Sequence, residues 1–284
     1  MASGRDLRKR IKSVTNTQQI TKAMKMVASA RLRRAQSKAA ATGPYADKLG
    51  QILRHICRSI PESFSSPLLD VRPVKRTAYI MIGADKGLAG AFSTNITKFM
   101  MEQIADNAPS EYVIITSGRK PRDCMKIRGY HVEISYAGYS DKPMYEHART
   151  LIQAVLPLFV KGEIDRVVMI YTYFVNSMTQ TVVAHQLLPI ETPKSDEGND
   201  DFIFMPDATT VWEHLLPKYV EMSVYNGLLQ SAASELGARM TAMTSATDNA
   251  GELIEKLGLE YNQLRQSSIT NEISEIVGGA NALQ

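Results

Sequence analysis

Gly83, Gly87 and Gly90 follow an apolar run, Val74–Ile82. A glycine-rich turn between a strand and a helix can cradle a phosphate on bare backbone N–H groups. Their spacing, however, is G-x-x-x-G-x-x-G, not the dinucleotide fingerprint G-x-G-x-x-G. No acidic residue about twenty positions on falls on a following strand, as ribose recognition would require. The stretch therefore reads as a tight strand-to-helix turn. No G-x-x-x-x-G-K-[ST] occurs anywhere, which argues against ATP binding by a P-loop. The five histidines, at 55, 131, 147, 185 and 214, show no ligand spacing, and Cys57 and Cys124 are far apart and match no metal motif. These residue types yield no catalytic group, metal site or cofactor.

The 284 residues are 44% hydrophobic and 22% charged, ordinary for a globular protein with a buried core. No apolar run approaches the ~20 residues that span a bilayer, and no secretory h-region opens the chain. Charge is lopsided. Residues 1–48 hold twelve Lys/Arg against two Asp/Glu, and residues 207–284 hold four against ten. Opposite signs suggest terminal segments that complement one another or meet differently charged partners. A basic, acid-poor opening also resembles a transit segment or a nucleic-acid-binding arm, with Arg31, Arg33 and Arg34 clustered. Against the second stand the lack of aromatics before Tyr45 and the acidic C-terminal segment, which offers a partner within the chain.

Three stretches organise the chain. Residues 1–60 read as one long helix from Ser3 to about Thr42, with Asp6, Leu7, Ile11, Val14, Ile20, Met24 and Val27 recurring at helical steps. Gly43-Pro44 should kink or interrupt it, before helix resumes from Tyr45 to about Ile60. Residues 74–206 alternate. Strands are expected at Val74–Ile82, Tyr112–Thr116, His131–Ser135, Arg166–Phe174 and Thr179–Leu187. Helices are expected near Ala89–Asn107, Arg119–Arg128 and Tyr145–Lys161. That pattern predicts a Rossmann-like α/β domain with a mainly parallel sheet.

Residues 207–284 predict one long helix opened by Asp207 as N-cap. Leu236, Met240, Met243, Thr247, Ala250, Ile254, Leu257, Tyr261 and Leu264 are spaced alternately by four and three, a heptad seam interrupted only by Thr247. About 70 residues at ~1.5 Å each make a rod of roughly 105 Å, which something must sheathe. After Leu264 the seam positions turn polar, at Ser268, Asn271 and Glu275. A new stripe, Ile269, Ile273 and Ile276, lies about 120–180° around the helix at ~100° per residue. That change of face fits a tip that has outrun its coiled-coil mate and entered a surrounding apolar sleeve.

Long segments here are similar to one known family. Residues 13–36, SVTNTQQITKAMKMVASARLRRAQ, resemble the N-terminal helix of F-type ATP synthase gamma subunits. Residues 234–257, SELGARMTAMTSATDNAGELIEKL, and 269–280, ITNEISEIVGGA, resemble the family's C-terminal helix and signature. GADKGLAGAF at 83–92 resembles its Gly-Leu-x-Gly turn, with Ala89 where many members carry Cys. The family motif begins almost at the first residue, which argues against a transit segment. The dithiol insertion of the chloroplast members, and with it their thiol regulation, is not expected.

The resemblance implies an antiparallel coiled coil of both terminal helices within a ring of three alpha and three beta subunits. At its foot the α/β domain would meet an epsilon-type subunit and the c-subunit ring. The chain would then be a rotor without an active site, coupling proton or sodium transport to ATP synthesis or hydrolysis in the catalytic ring. Contacts to the beta subunits are implied at Met24, Lys25, Arg265, Gln266 and Thr270. Foot contacts are implied at Gly43, Pro44, Tyr45, Phe204, Met205 and Pro206. The implied location is peripheral, on the cytoplasmic face of a bacterial plasma membrane or the matrix side of an organellar inner membrane. The rival reading is a nucleotide-dependent enzyme built on the α/β middle, with helical extensions for dimerisation.

Overall fold

A computed structural model describes residues 4–56, 66–190, 205 and 207–281. The elements run α1 (Gly4–Ile56), β1 (Thr77–Ile82), α2 (Phe92–Ile104), β2 (Tyr112–Ser117), α3 (Arg119–Ile127), β3 (Ile134–Tyr136), α4 (Tyr145–Val160), β4 (Arg166–Phe174), β5 (Gln180–Leu188) and α5 (Ala208–Asn281). Contacts group the chain into two units, Met1–Ala28 with Met240–Gln284, and Ser29–Arg239. Both α1 and α5 therefore contribute to each unit.

In the larger unit a five-stranded sheet has the order β3-β2-β1-β4-β5. Three pairings are parallel, and the β4–β5 edge pair is antiparallel. All six residues of β1 are buried, as befits a central parallel strand covered on both faces. One face carries α4, through Leu151, Val155 and Phe159, and the first turns of α5, through Trp212, Leu216, Val220, Val224 and Leu228. The other carries α2, through Ile96, Met100 and Ile104, and α3, through Met125. Steps of three or four place these side chains on one helical face each, and burying that face supplies most of a helix's stability. α5 starts where Asp207 accepts the Thr210 N–H at 2.9 Å, an N-cap bond. Two glycines permit close approach. At Gly118 (φ 113°) a Cβ would lie 2.5 Å from the Gly83 carbonyl oxygen, and at Gly227 one would lie 2.6 Å from Met169 Sδ.

In the smaller unit α1 and α5 pair antiparallel. The Arg8 guanidinium lies 5.6 Å from the Tyr261 ring centroid. Further along, Gln18 Nε2 donates to the Thr247 carbonyl at 3.4 Å, and the hydroxyls of Thr21 and Thr247 meet at 2.8 Å. On α5, Met243, Ala250 and Leu257 are buried, Met240, Thr247, Ile254, Tyr261 and Leu264 are half-buried, and every residue from Arg265 to Gly278 is exposed.

Two expectations are corrected. α1 is not interrupted at Gly43-Pro44; it continues through Pro44 to Ile56. Pro44 and Ala40, whose carbonyl loses its helical partner, are both exposed, so water can take that hydrogen bond. Ile20 and Val27, although apolar and at helical spacing, are 60% and 52% exposed. The buried seam instead passes from Leu7, Ile11 and Val14 through Gln18 and Thr21 to Ala28 and Leu32. Helical phase, not hydrophobicity, selects those positions. His131–Ser135 shortens to β3 at Ile134–Tyr136, and the expected helix beyond Ile56 lies outside the described residues.

Candidate functional site

The turn after β1 is held by its own backbone. The Gly83 N–H donates to the Ser117 carbonyl at 2.8 Å, and the Lys120 N–H to the Ala84 carbonyl at 2.9 Å. Asp85 receives the N–H groups of Arg119 (3.1 Å), Gly138 (2.9 Å) and Ser140 (3.0 Å), so it fastens this turn to the loops after β2 and β3. Burial opposes its charge. The donated N–H groups outweigh that and hold its carboxyl below the usual carboxylate range.

Beside the turn sits a cluster of charges from four segments. Asp141 Oδ2 lies 2.7 Å from both Arg31 Nη1, on α1, and Lys86 Nζ. Arg239 Nη2, on α5, donates to the Gly87 carbonyl at 3.2 Å and to Glu235 Oε1 at 2.5 Å. Glu235 and Arg239 stand one helical turn apart, with side chains 2% and 10% exposed. Burial pushes the Glu235 carboxyl up even with Arg239 opposing it. Asp141 is also penalised by burial, yet Lys86, Arg31 and Arg239 hold it below its usual value. The arrangement pairs no nucleophile with a base; what it does is lock α1, α5 and two loops together.

In open α/β sheets ligands bind outside the carboxyl ends of the strands, where the strand order reverses. Here that point lies between β1 and β4, and α5 covers it. Ser231 Oγ donates to the Ile82 carbonyl (3.3 Å) and Ser234 Oγ to the Thr172 carbonyl (3.0 Å). A Cβ on Gly237 would lie 3.1 Å from the Phe174 ring.

Two of the histidines make local contacts. His147 Nδ1 accepts the Met144 N–H at 3.0 Å and its ring stacks on Tyr139, while His131 pairs with Glu133 at 3.3 Å. Among the described residues no three His, Cys, Asp or Glu side chains gather as a metal would need, and no helix is long and apolar enough to cross a membrane.

The residues read from sequence fall into three places. Met24 and Lys25 are half-buried on α1, and Arg265, Gln266 and Thr270 are exposed on α5. Thr270 Oγ1 donates back to the Gln266 carbonyl at 3.0 Å. Ile269, Ile273 and Ile276 are 47%, 56% and 72% exposed. In the larger unit, Leu236 is buried, Gly43 is half-buried, and Pro44, Tyr45 and Met205 are exposed. Phe204 and Pro206 lie outside the described residues. Asp85, Asp141, Glu235 and Arg239 were missed. The available signal was Glu235 and Arg239 themselves, charges at an i,i+4 step inside the small-residue run SAASELGARM.

The family model for ATP synthase matches residues 3–283. The chain is 45% identical to the ATP synthase gamma chain of Desulfitobacterium hafniense and 47% identical to that of Desulforamulus reducens, each alignment covering all of both chains. The chain belongs to the ATP synthase gamma chain family. A solved chain of the Euglena gracilis mitochondrial ATP synthase shares the fold, with a TM-score of 0.73 and 19% identity over 99% of this chain and 94% of that one. For a gamma chain, the exposed polar and apolar residues beyond Leu264 and the locked charge cluster become the features of interest.

Proposed function

We propose that this chain is the central-stalk rotor subunit of an F-type ATP synthase, turning inside a ring of three alpha and three beta subunits and carrying no catalytic residue. Family membership supports the reading, and one structural observation carries it. The α1–α5 seam stops at Leu264, yet α5 continues with Ile269, Ile273, Ile276 and Val277 exposed. Apolar groups presented in that pattern call for an external sleeve. In this reading the ring supplies it.

The mechanism is differential binding. Three identical beta subunits share one conformational equilibrium until an asymmetric axle touches each differently. Swinging a site from ~1:99 to ~99:1 takes roughly 5.5 kcal/mol of differential contact. Arg265, Gln266 and Thr270, with Met24 and Lys25, would supply the polar part and the isoleucine stripe the apolar part. Reciprocity of coupling then makes rotation drive synthesis and hydrolysis drive reverse rotation. Gly43, Pro44, Tyr45, Phe204, Met205 and Pro206 would face the epsilon-type subunit and the c ring. The chain would be peripheral to the membrane, on the cytoplasmic face in a bacterium.

A Thr270→Cys change, paired with a cysteine on the facing beta-subunit loop, tests this in the assembled complex. The disulfide should form with one beta copy of three, abolish multi-site hydrolysis, and release it on reduction, since no catalytic group is altered. A cross-linked complex that keeps its full multi-site rate would reduce this chain to a spacer.

A further inference from the structure

At the opposite ends of the strands from the charge cluster, the sheet opens into a broad groove of about 800 Å³, lined by the starts of β1 and β4 and by the residues just before β1 and β2. Arg76 and Arg166 both line it. They are neighbours through the parallel register, in which Thr77, just after Arg76, stands beside Arg166. The Nε atom of each is buried and has no hydrogen-bond partner among the described residues. An unpaired buried donor on a guanidinium is costly, and native structures satisfy nearly all of them.

Carboxylates near the groove are already engaged. Glu111, which also lines it, accepts the Ala108 N–H at 2.9 Å. Asp165, directly before Arg166, accepts the N–H groups of Lys75 and Arg76 at 2.9 and 3.0 Å. The lining thus holds three cations, Lys75, Arg76 and Arg166, against one carboxylate. Planar guanidinium forks with free donors match the oxygens of a phosphoryl group in geometry as well as charge.

We infer that this groove is a binding site for a phosphoryl anion, with Arg76 and Arg166 as its ligands and Lys75 as an accessory charge. The site is independent of the beta-subunit contacts and of the rotor reading. Its phosphoryl group comes either from a free phosphate compound or from a lipid headgroup.

The experiment uses the full chain at constant ionic strength set with sodium chloride. In one arm the arginine Nε–Hε NMR signals are followed while pyrophosphate is added. In the other, the chain is sedimented with vesicles of phosphatidylcholine, alone or with phosphatidic acid. A free-phosphate source gives saturable shifts of the Arg76 and Arg166 signals. A lipid source leaves those signals unmoved by pyrophosphate and pellets the chain with acidic vesicles alone. In whichever arm binds, the pair Arg76→Gln and Arg166→Gln should weaken binding about tenfold or more, the scale of losing charge-assisted hydrogen bonds. If circular dichroism shows that pair unfolded, Arg76→Lys with Arg166→Lys keeps the charge, removes both guanidinium forks, and should still weaken binding several-fold. No binding in either arm, or binding that both variant pairs leave unchanged, would overturn the site.

Discussion

Arg239→Ala strips Glu235 of the cation 2.5 Å from its Oε1 and takes a donor from the Gly87 carbonyl. The Glu235 side chain is 2% exposed, so the charge left behind is a buried one. Breaking a buried pair by removing one member costs about 3–5 kcal/mol. The lost bond to Gly87 adds about 1 kcal/mol. The loss also depends on pH, and its sign follows from Glu235. Burial raises its carboxyl in the folded state, and losing Arg239 raises it further. A raised carboxyl stabilises the fold below its unfolded value, and that stability is lost as pH rises through the folded value. The deficit of the variant should therefore be larger at about pH 8 than at about pH 5.

Trp212, the sole tryptophan and fully buried in the same unit, reports urea unfolding by fluorescence. Adding Glu235→Gln removes the stranded charge and should recover about 2 kcal/mol, a non-additive coupling. The reasoning fails if Arg239→Ala costs less than about 1 kcal/mol. It fails equally if the double variant is no more stable than the single one.

Other outcomes follow from the packing. Leu257→Ala, at a seam position 3% exposed, should destabilise the α1–α5 pairing by about 2–4 kcal/mol, read by hydrogen exchange across residues 240–264, whereas Leu259→Ala, at 67% exposure, should stay within about 0.5 kcal/mol. Gly227→Ala drives a Cβ to 2.6 Å from Met169 Sδ and should cost about 1–3 kcal/mol in urea unfolding, with Met169→Val restoring part of it. Asp85, held below its usual value by three N–H groups, stabilises its turn above the ordinary carboxylate range. That stability should vanish as pH falls through its folded value, and Asp85→Asn should flatten the acid limb of the stability profile.

Period and punctuation alone determined a good deal of this protein. The four–three spacing from Leu236 to Leu264 is a property of helical geometry, and each of those positions is buried or half-buried on α5. The β-rich runs of the middle are bounded by turn residues, and β4 matched its expected limits, Arg166–Phe174. What the spacing could not supply was the partner. Thr247 looked like a defect in the seam until Thr21 and Gln18 were placed against it as a polar layer. The buried face of α1 was not legible either, because apolar character at Ile20 and Val27, both exposed, does not say which side meets a neighbour. Pro44 was read as a kink or an interruption, and the helix is not interrupted there; local sequence is blind to whether water reaches the orphaned carbonyl. The charge cluster lay furthest from view. Asp85 and Asp141 are more than 90 residues from Glu235 and Arg239 in the chain, and each alone reads as an ordinary surface charge. Only the strand order β3-β2-β1-β4-β5, which brings the turn after β1 under α5, joins them and turns i,i+4 neighbours on one helix into a buried lock. Burial and long-range pairing are properties of the folded chain, and no local pattern encodes them.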